Sequence, residues 1–213
     1  NMAELGFILV QIDGMGTSHR SKAFHDECYG DMSVNTLPDQ VFAMEQLAEK
    51  HSYIDLERVG IWGHSGGGFA TAAAMFDYPD FFDVGISESG NHDNRNYEDD
   101  WGERYVGLEV GDNYERQANQ LKAENLKGKL MLAHGMMDDN VPHYNTNLVI
   151  DALIKANKDF DLVMFPNARH GYGMDTLYMI RKRWDYFVKN LLEKEPPKEY
   201  KLQFSRDSRD GRA

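Results

Sequence analysis

Short apolar runs alternate with longer amphipathic stretches along most of this chain. Phe7-Ile8-Leu9-Val10-Gln11-Ile12, Val59-Gly60-Ile61-Trp62, Val84-Gly85-Ile86-Ser87, Lys129-Leu130-Met131-Leu132-Ala133 and Leu162-Val163-Met164-Phe165 each have the length and composition of a buried strand. Between them, Pro38 to Lys50 sets Val41, Phe42, Met44 and Leu47 at helical spacing, with Pro38 suited to the first turn. Further helices are expected over the small-residue run from Gly68 to Ala74, near Tyr114–Ala123, from Tyr144 to Ala156, and from about Asp175 to Leu192. Continuous apolar strands separated by helices predict a parallel sheet covered on both faces, an α/β fold. The stretch from Ser89 to Gly107 reads as irregular. Lys194-Glu195-Pro196-Pro197-Lys198 opens a polar run to Ala213, so the expected division is one α/β domain over 1–193 and a loosely held tail over 194–213.

One junction in this pattern carries chemistry. Gly63-His64-Ser65-Gly66-Gly67 stands between the run ending at Trp62 and the helix beginning near Gly68. G-x-S-x-G alone is weak evidence, but strand, motif and helix in that order make a nucleophile elbow, a sharp turn that lifts a serine hydroxyl above a sheet edge. Flanking glycines are expected because a Cβ would clash in so tight a turn. A serine hydroxyl needs a base, and the base an orienting carboxylate. On this elbow the partners follow in the order serine, acid, histidine. The strand at 129–133 runs into His134-Gly135-Met136-Met137-Asp138-Asp139-Asn140-Val141-Pro142, and the strand at 162–165 into Pro166-Asn167-Ala168-Arg169-His170-Gly171. Both loops follow the carboxyl ends of strands, the edge where open parallel sheets place active sites. His170 is the expected base. His64 is expected to point away from the serine across the turn, and His134 to hold the Asp138 loop by hydrogen bonds. Spacing alone does not choose between Asp138 and Asp139.

Composition narrows the function. A chain of 213 residues with 41% hydrophobic content suits one α/β domain with its own core. A formal charge of −12 argues against nucleic acid or an anionic membrane as partner. No apolar run approaches transmembrane length. The single cysteine, Cys28, rules out an internal disulfide. His25-Asp26-Glu27-Cys28 reads as a solvated loop, because four adjacent residues cannot all face one ion; no metal and no cofactor is expected. The 89–107 stretch sets Tyr97, Trp101 and Tyr105 among acids on the same sheet edge, which suits a pocket with an apolar wall; the alternative is a solvated acidic loop anchored in the core by Trp101 and Tyr105. Its acids are expected to be merely solvated.

These motifs resemble the catalytic domain of the prolyl oligopeptidase family of serine peptidases, in particular its dipeptidyl peptidase IV branch. The likeness rests on Ile61-Trp62-Gly63-His64-Ser65-Gly66-Gly67-Gly68, His134 to Val141 and Arg169-His170-Gly171, together with Asp13-Gly14-Met15-Gly16-Thr17 and Glu103-Arg104-Tyr105-Val106-Gly107. It covers about residues 3 to 192. The resemblance implies an α/β-hydrolase fold, Ser65 as nucleophile, Asp138 rather than Asp139 as acid, and His170 as base. It also implies that the Gly66 backbone N–H receives the oxyanion, that Asn140 holds a substrate carbonyl, and that Tyr97 and Trp101 line the S1 pocket. Trp101 stands where the branch has a tyrosine, and His64 and Gly66 replace the aromatic residues usual in the elbow. The implied substrate is a short peptide, and the implied location extracytoplasmic or periplasmic. Amino-terminal strands, a second oxyanion donor and a β-propeller would complete the family pattern, so the chain reads as the carboxyl-terminal piece of a longer peptidase. Alone it is expected to be feebly active and to associate through its open sheet edge, to a homo-oligomer for instance. An esterase or acylaminoacyl hydrolase is the alternative within the same chemistry, and a non-catalytic truncated module the alternative outside it.

Overall fold

Alternation along a single strand explains why the sheet is buried on both sides. In β3 (Lys129–Gly135), Leu130 and Leu132 pack into one apolar cluster while Met131 and Ala133 pack into another, and all four are buried. The structure, a computed structural model, describes residues 2–32 and 36–202. Beside β3, the strands β1 (Gly60–His64), β2 (Val84–Glu88) and β4 (Asp161–Phe165) run parallel in the order β1-β2-β3-β4. Register is set by pairs such as Ile61 with Gly85, Ile86 with Met131, and Ala133 with Val163.

Helices cover the two faces. One cluster takes Leu37 from α2 (Leu37–Lys50), Ala72 to Phe76 from α3 (Gly66–Asp77), and Val149 and Leu153 from α5 (Tyr144–Lys155). The opposite cluster takes Met179 and Phe187 from α6 (Thr176–Asn190). Each fully buried Leu or Phe contributes about 1.5–3 kcal/mol of transfer free energy. The contact of α3 with β2 is close. A Cβ on Gly85 would run into Met75, and one on Gly68 would overlap the Glu88 carbonyl. Ser87 also donates its hydroxyl to the Gly68 carbonyl at 2.8 Å. Small residues at this seam let α3 lie directly on the strand ends.

Four of the five expected strands form. The fifth, Phe7 to Ile12, does not: it has no ladder, and Ile8, Leu9 and Val10 are exposed. Across from β1 it borders a cleft of about 530 Å³ that also touches Ile61, Trp62 and Phe187. Apolar composition gives a segment the capacity for strand, but a strand needs a partner backbone to satisfy its polar groups, and among the described residues none pairs with it. The helix expected near Tyr114–Ala123 is instead two 3₁₀ segments, Glu115–Gln117 and Asn119–Asn125, joined at an extended Ala118. Buried amides enforce the break. The Gln117 side chain accepts from Met32 N–H, and Asn119 donates to the Phe69 carbonyl. The irregular stretch from Ser89 to Gly107 contains an eight-residue helix, α4 (Asp99–Val106). It is preceded in chain order by the short α1 (Lys22–His25), capped by the Ser21 hydroxyl. The expected tail falls outside the described residues from 203 onward.

Gly68→Ala should lower the free energy of unfolding by about 1–3 kcal/mol, since its Cβ would overlap the backbone of Glu88 and Gly90. Gly67→Ala, whose Cβ meets nothing within 4 Å, should be neutral to mildly stabilising. Urea denaturation midpoints at unchanged slope would separate the two.

Candidate active site

Ser65 sits where β1 stops and α3 begins, with φ 60° and ψ −121°. A non-glycine residue there carries of order 1–3 kcal/mol of backbone strain, which neighbouring bonds must offset. Its N–H donates to the Glu88 carbonyl at the end of β2 (2.8 Å), and its carbonyl accepts from Phe69 N–H (3.0 Å). Gly63 is sterically required, because a Cβ there would overlap the Gly67 backbone. The second motif glycine, Gly67, is open around its own Cβ position; Gly68, one residue on, is the crowded one. Gly66 opens α3, so its N–H is one of the donors that a helix start leaves without an intrahelical acceptor. A Cβ added at Gly66 would meet nothing within 4 Å.

Two loops from neighbouring strands converge on this edge. Asp138 follows β3 and is buried; His170 follows β4, and its Nδ1 lies 2.7 Å from Asp138 Oδ2. The other oxygen, Oδ1, accepts from the N–H groups of Asn140 (3.0 Å) and Val141 (2.9 Å). His134 braces the same carboxylate as expected: its Nε2 is 3.1 Å from Oδ2 and 3.0 Å from the Val141 carbonyl, and its Nδ1 is 2.7 Å from the Thr146 hydroxyl. Burial holds the His134 pKa below the ordinary value, so it serves as a neutral brace. Asp139 turns outward to an exposed ion pair with Arg169. The adjacent aspartates thus diverge: Asp138 meets the His170 ring, and Asp139 crosslinks the two loops.

The remaining expected residues gather on the rim. Tyr97 donates its hydroxyl to Asn140 Oδ1 at 2.7 Å. Trp101 meets the Tyr97 ring edge-on at 5.3 Å and lies 4.9 Å from Tyr105. Trp101 and Tyr105 also pack on a small cluster of Met32, Phe69, Val106 and Tyr114, so they anchor α4 as well as facing Tyr97. Glu98, Asp99, Asp100 and Glu103 are exposed, but Asp93 departs from the expectation of solvated acids. It is 2% exposed and bonds Arg95 through both oxygens, with Gln120 at 2.6 Å.

Several supports have no signal in local sequence because their partners are far away in the chain. Asn145 of α5 accepts from Asp93 N–H (2.9 Å) and donates to the Asn96 carbonyl (3.1 Å), tying the Tyr97 loop to the Asp138 loop. Arg183 of α6 donates to the buried Glu88 carboxylate at 2.8 and 2.7 Å and lies over the Trp62 ring. Burial raises the Glu88 pKa, against the pull of Arg183. His92, wholly buried, bonds Asn119 at 3.0 Å, and burial pushes its pKa down to about 3. Each is an unremarkable polar residue in sequence.

Comparison with known proteins places this geometry in context. The model of the prolyl oligopeptidase family matches residues 1–194. Dipeptidyl peptidase 8 of Homo sapiens is 32% identical over 174 residues, 79% of this chain and 19% of that protein. Dipeptidyl peptidase 4 of Trichophyton equinum is 30% identical over 205 residues, 91% of this chain and 26% of that protein. The crystal structure of Porphyromonas gingivalis dipeptidyl peptidase 4 superposes with a TM-score of 0.78 at 31% identity, covering 84% of this chain and 26% of that one. The chain thus spans about a fifth to a quarter of the length of these relatives. Among the described residues, no helix is long and apolar enough to cross a membrane.

The buried histidines predict a pH dependence of stability. His92 and His134 are neutral when folded and take up protons near pH 6.5 once unfolded, so the unfolded state binds more protons below that pH. Their contribution is complete above about pH 6.5 and declines as pH falls, at about 1.4 kcal/mol per pH unit for His92, with His134 acting in the same direction. His92→Asn should remove one such increment from the slope of unfolding free energy between pH 6 and 5. Urea melts at the two pH values would measure it.

Proposed function

Since this chain belongs to the prolyl oligopeptidase family, we propose that it is the catalytic portion of a serine peptidase cleaving short peptides, with dipeptidyl-peptidase-like specificity. The observation that carries the reading is the 2.7 Å contact of His170 Nδ1 with a buried carboxylate, on the sheet edge that also bears the strained Ser65.

In this reading His170 Nδ1–H donates to Asp138 Oδ2, which fixes the tautomer and leaves Nε2 with its lone pair free to accept a proton. Ser65 Oγ attacks the scissile carbonyl carbon and gives its proton to His170 Nε2. The carbonyl oxygen becomes an oxyanion that accepts from Gly66 N–H. Collapse of the tetrahedral adduct breaks the C–N bond, and His170 returns the proton to the departing amine. Water then repeats the sequence on the acyl-enzyme, with His170 taking its proton and Ser65 leaving. Asp138 is suited to its part because all its neighbours hold it still: two backbone N–H groups on one oxygen, His134 and His170 on the other. Tyr97 and Trp101 form the apolar wall for the residue before the scissile bond, and Asn140, already oriented by the Tyr97 hydroxyl, offers its side-chain amide to a substrate carbonyl.

Ser65→Ala, Asp138→Asn and His170→Ala in the full-length protein should each lower kcat by about 10⁴-fold or more, and combining them should add little. Asp139→Asn, losing only an exposed ion pair, should change kcat less than threefold. A fluorophosphonate should label Ser65 and fail on the Ser65→Ala variant. Strong sensitivity at Asp139 with tolerance at Asp138 would overturn the acid assignment.

Specificity offers a second test. Trp101→Ala should admit larger residues before the scissile bond, shifting kcat/KM ratios between small and large side chains by about 10-fold, within the 1–3 kcal/mol that such apolar contacts supply. An unchanged ranking across a dipeptidyl-amide series would remove Trp101 from the pocket.

A further inference from the structure

The residue just before the candidate nucleophile has a contact that the elbow motif does not anticipate. His64 ends β1, and its Nε2 lies 2.5 Å from the backbone carbonyl oxygen of His170, 106 residues further along the chain. Its ring stands 4.5 Å from the His170 ring at 58°, and Tyr172 closes the far side edge-on at 5.9 Å. A carbonyl only accepts, so His64 Nε2 must carry the proton and donate. We propose that His64 is a positioning residue: it anchors the backbone of His170 to the strand that carries Ser65, so that base and nucleophile keep a fixed separation.

The loop is held on either side of His170, by Met137 N–H to the Ala168 carbonyl (3.0 Å) and Gly173 N–H to the Gly171 carbonyl (2.7 Å). The bond that spans His170 is long, Tyr172 N–H to the Arg169 carbonyl at 3.4 Å, and the Arg169–Asp139 pair is exposed. Asp138 holds the His170 ring by Nδ1, which sets the direction of the imidazole. The His64 bond adds a point of attachment on the carbonyl of His170 itself. The donor is also suited by its charge. Partial burial keeps His64 below its ordinary pKa, with the nearby His170 ring and Arg183 also acting against a charge, while the bond to the His170 carbonyl and Asp138 act in its favour. A neutral imidazole can hold the carbonyl without setting a like charge beside His170 at the moment it accepts a proton. A lysine or arginine at the same place would donate equally well and repel the imidazolium.

The kinetic part of this inference rests on the serine peptidase reading; its spectroscopic part does not. In full-length protein, His64→Phe keeps a ring and loses the donor, whereas His64→Gln keeps a neutral N–H donor of similar reach. His64→Phe should lower kcat by about 10- to 100-fold, the scale of a misplaced catalytic group, with KM within twofold because Tyr97, Trp101 and Asn140 are untouched. His64→Gln should recover kcat to within about threefold of the native value. The proton shared by His170 Nδ1 and Asp138, which gives a far-downfield NMR resonance, should broaden or vanish in His64→Phe and persist in His64→Gln. Native kcat with a native resonance in His64→Phe would overturn the proposal. So would a folded His64→Gln variant that has lost both, because a merely space-filling role predicts rescue by the ring and not by the donor. If Ser65→Ala kept full activity, the peptidase reading would fall, while the resonance, which needs only His170 and Asp138, would still decide the role of His64.

Discussion

The turn at Ser65 is the constraint from which the arrangement of this edge follows. A positive φ on a residue with a side chain is unfavourable, and it is held by a hydrogen bond from Ser65 N–H to the Glu88 carbonyl on the adjacent strand. That bond forms only if α3 lies against the end of β2, which is why Gly63, Gly68 and Gly85 admit no Cβ and why Ser87 donates back to the Gly68 carbonyl. Glu88 is fixed in turn by Arg183 of α6, on the opposite face of the sheet. The two helical layers are thus coupled through the residue that receives the Ser65 N–H.

Around this point many polar groups are buried and paired, although the Ser89 hydroxyl and the Asn119 and Gln120 amide oxygens are buried without a hydrogen-bond partner among the described residues. Asp138, His134 and Thr146 form one chain of bonds; Asp93, Arg95, Gln120 and Asn145 form another. Low local polarity strengthens each bond and makes each unpaired group costly, so such networks favour one arrangement over near alternatives. Asn145 links them, since α5 carries it beneath both the Tyr97 loop and the loop bearing Asp138. The rim side chains Tyr97 and Asn140 then meet as a pair instead of moving independently. Rigidity at Asp138 and at the Tyr97–Asn140 rim therefore has a common source.

Apolar segments behave differently inside the sheet and at its β1 edge. β3, in the middle, is buried along Leu130 to Gly135, whereas β1 alternates between exposed and partly exposed residues and Trp62 is 40% exposed. Phe7 to Ile12 lies across the cleft from β1 with its aliphatic side chains open. Hydrophobic composition is the same in kind in all these segments. What separates them is whether a neighbouring strand is present to take up the backbone hydrogen bonds.

The order of strands and helices, the two-faced burial of β3 and the elbow at Ser65 were legible in the sequence because each depends on residues close together in the chain: periodicity, a glycine beside a serine, a loop after an apolar run. His134 as a brace for Asp138 was legible for the same reason, being four residues away. Spacing could not choose between Asp138 and Asp139, since adjacent residues share every local feature and differ only in which one the fold turns inward. Nor could it reveal that His64 reaches the His170 carbonyl, that Arg183 pairs with Glu88, that buried Gln117 and Asn119 break an expected helix, or that Phe7 to Ile12 finds no partner. Local sequence determines which conformations a segment prefers; long-range packing determines which polar atoms and strand edges find partners, and that decision belongs to the tertiary structure alone.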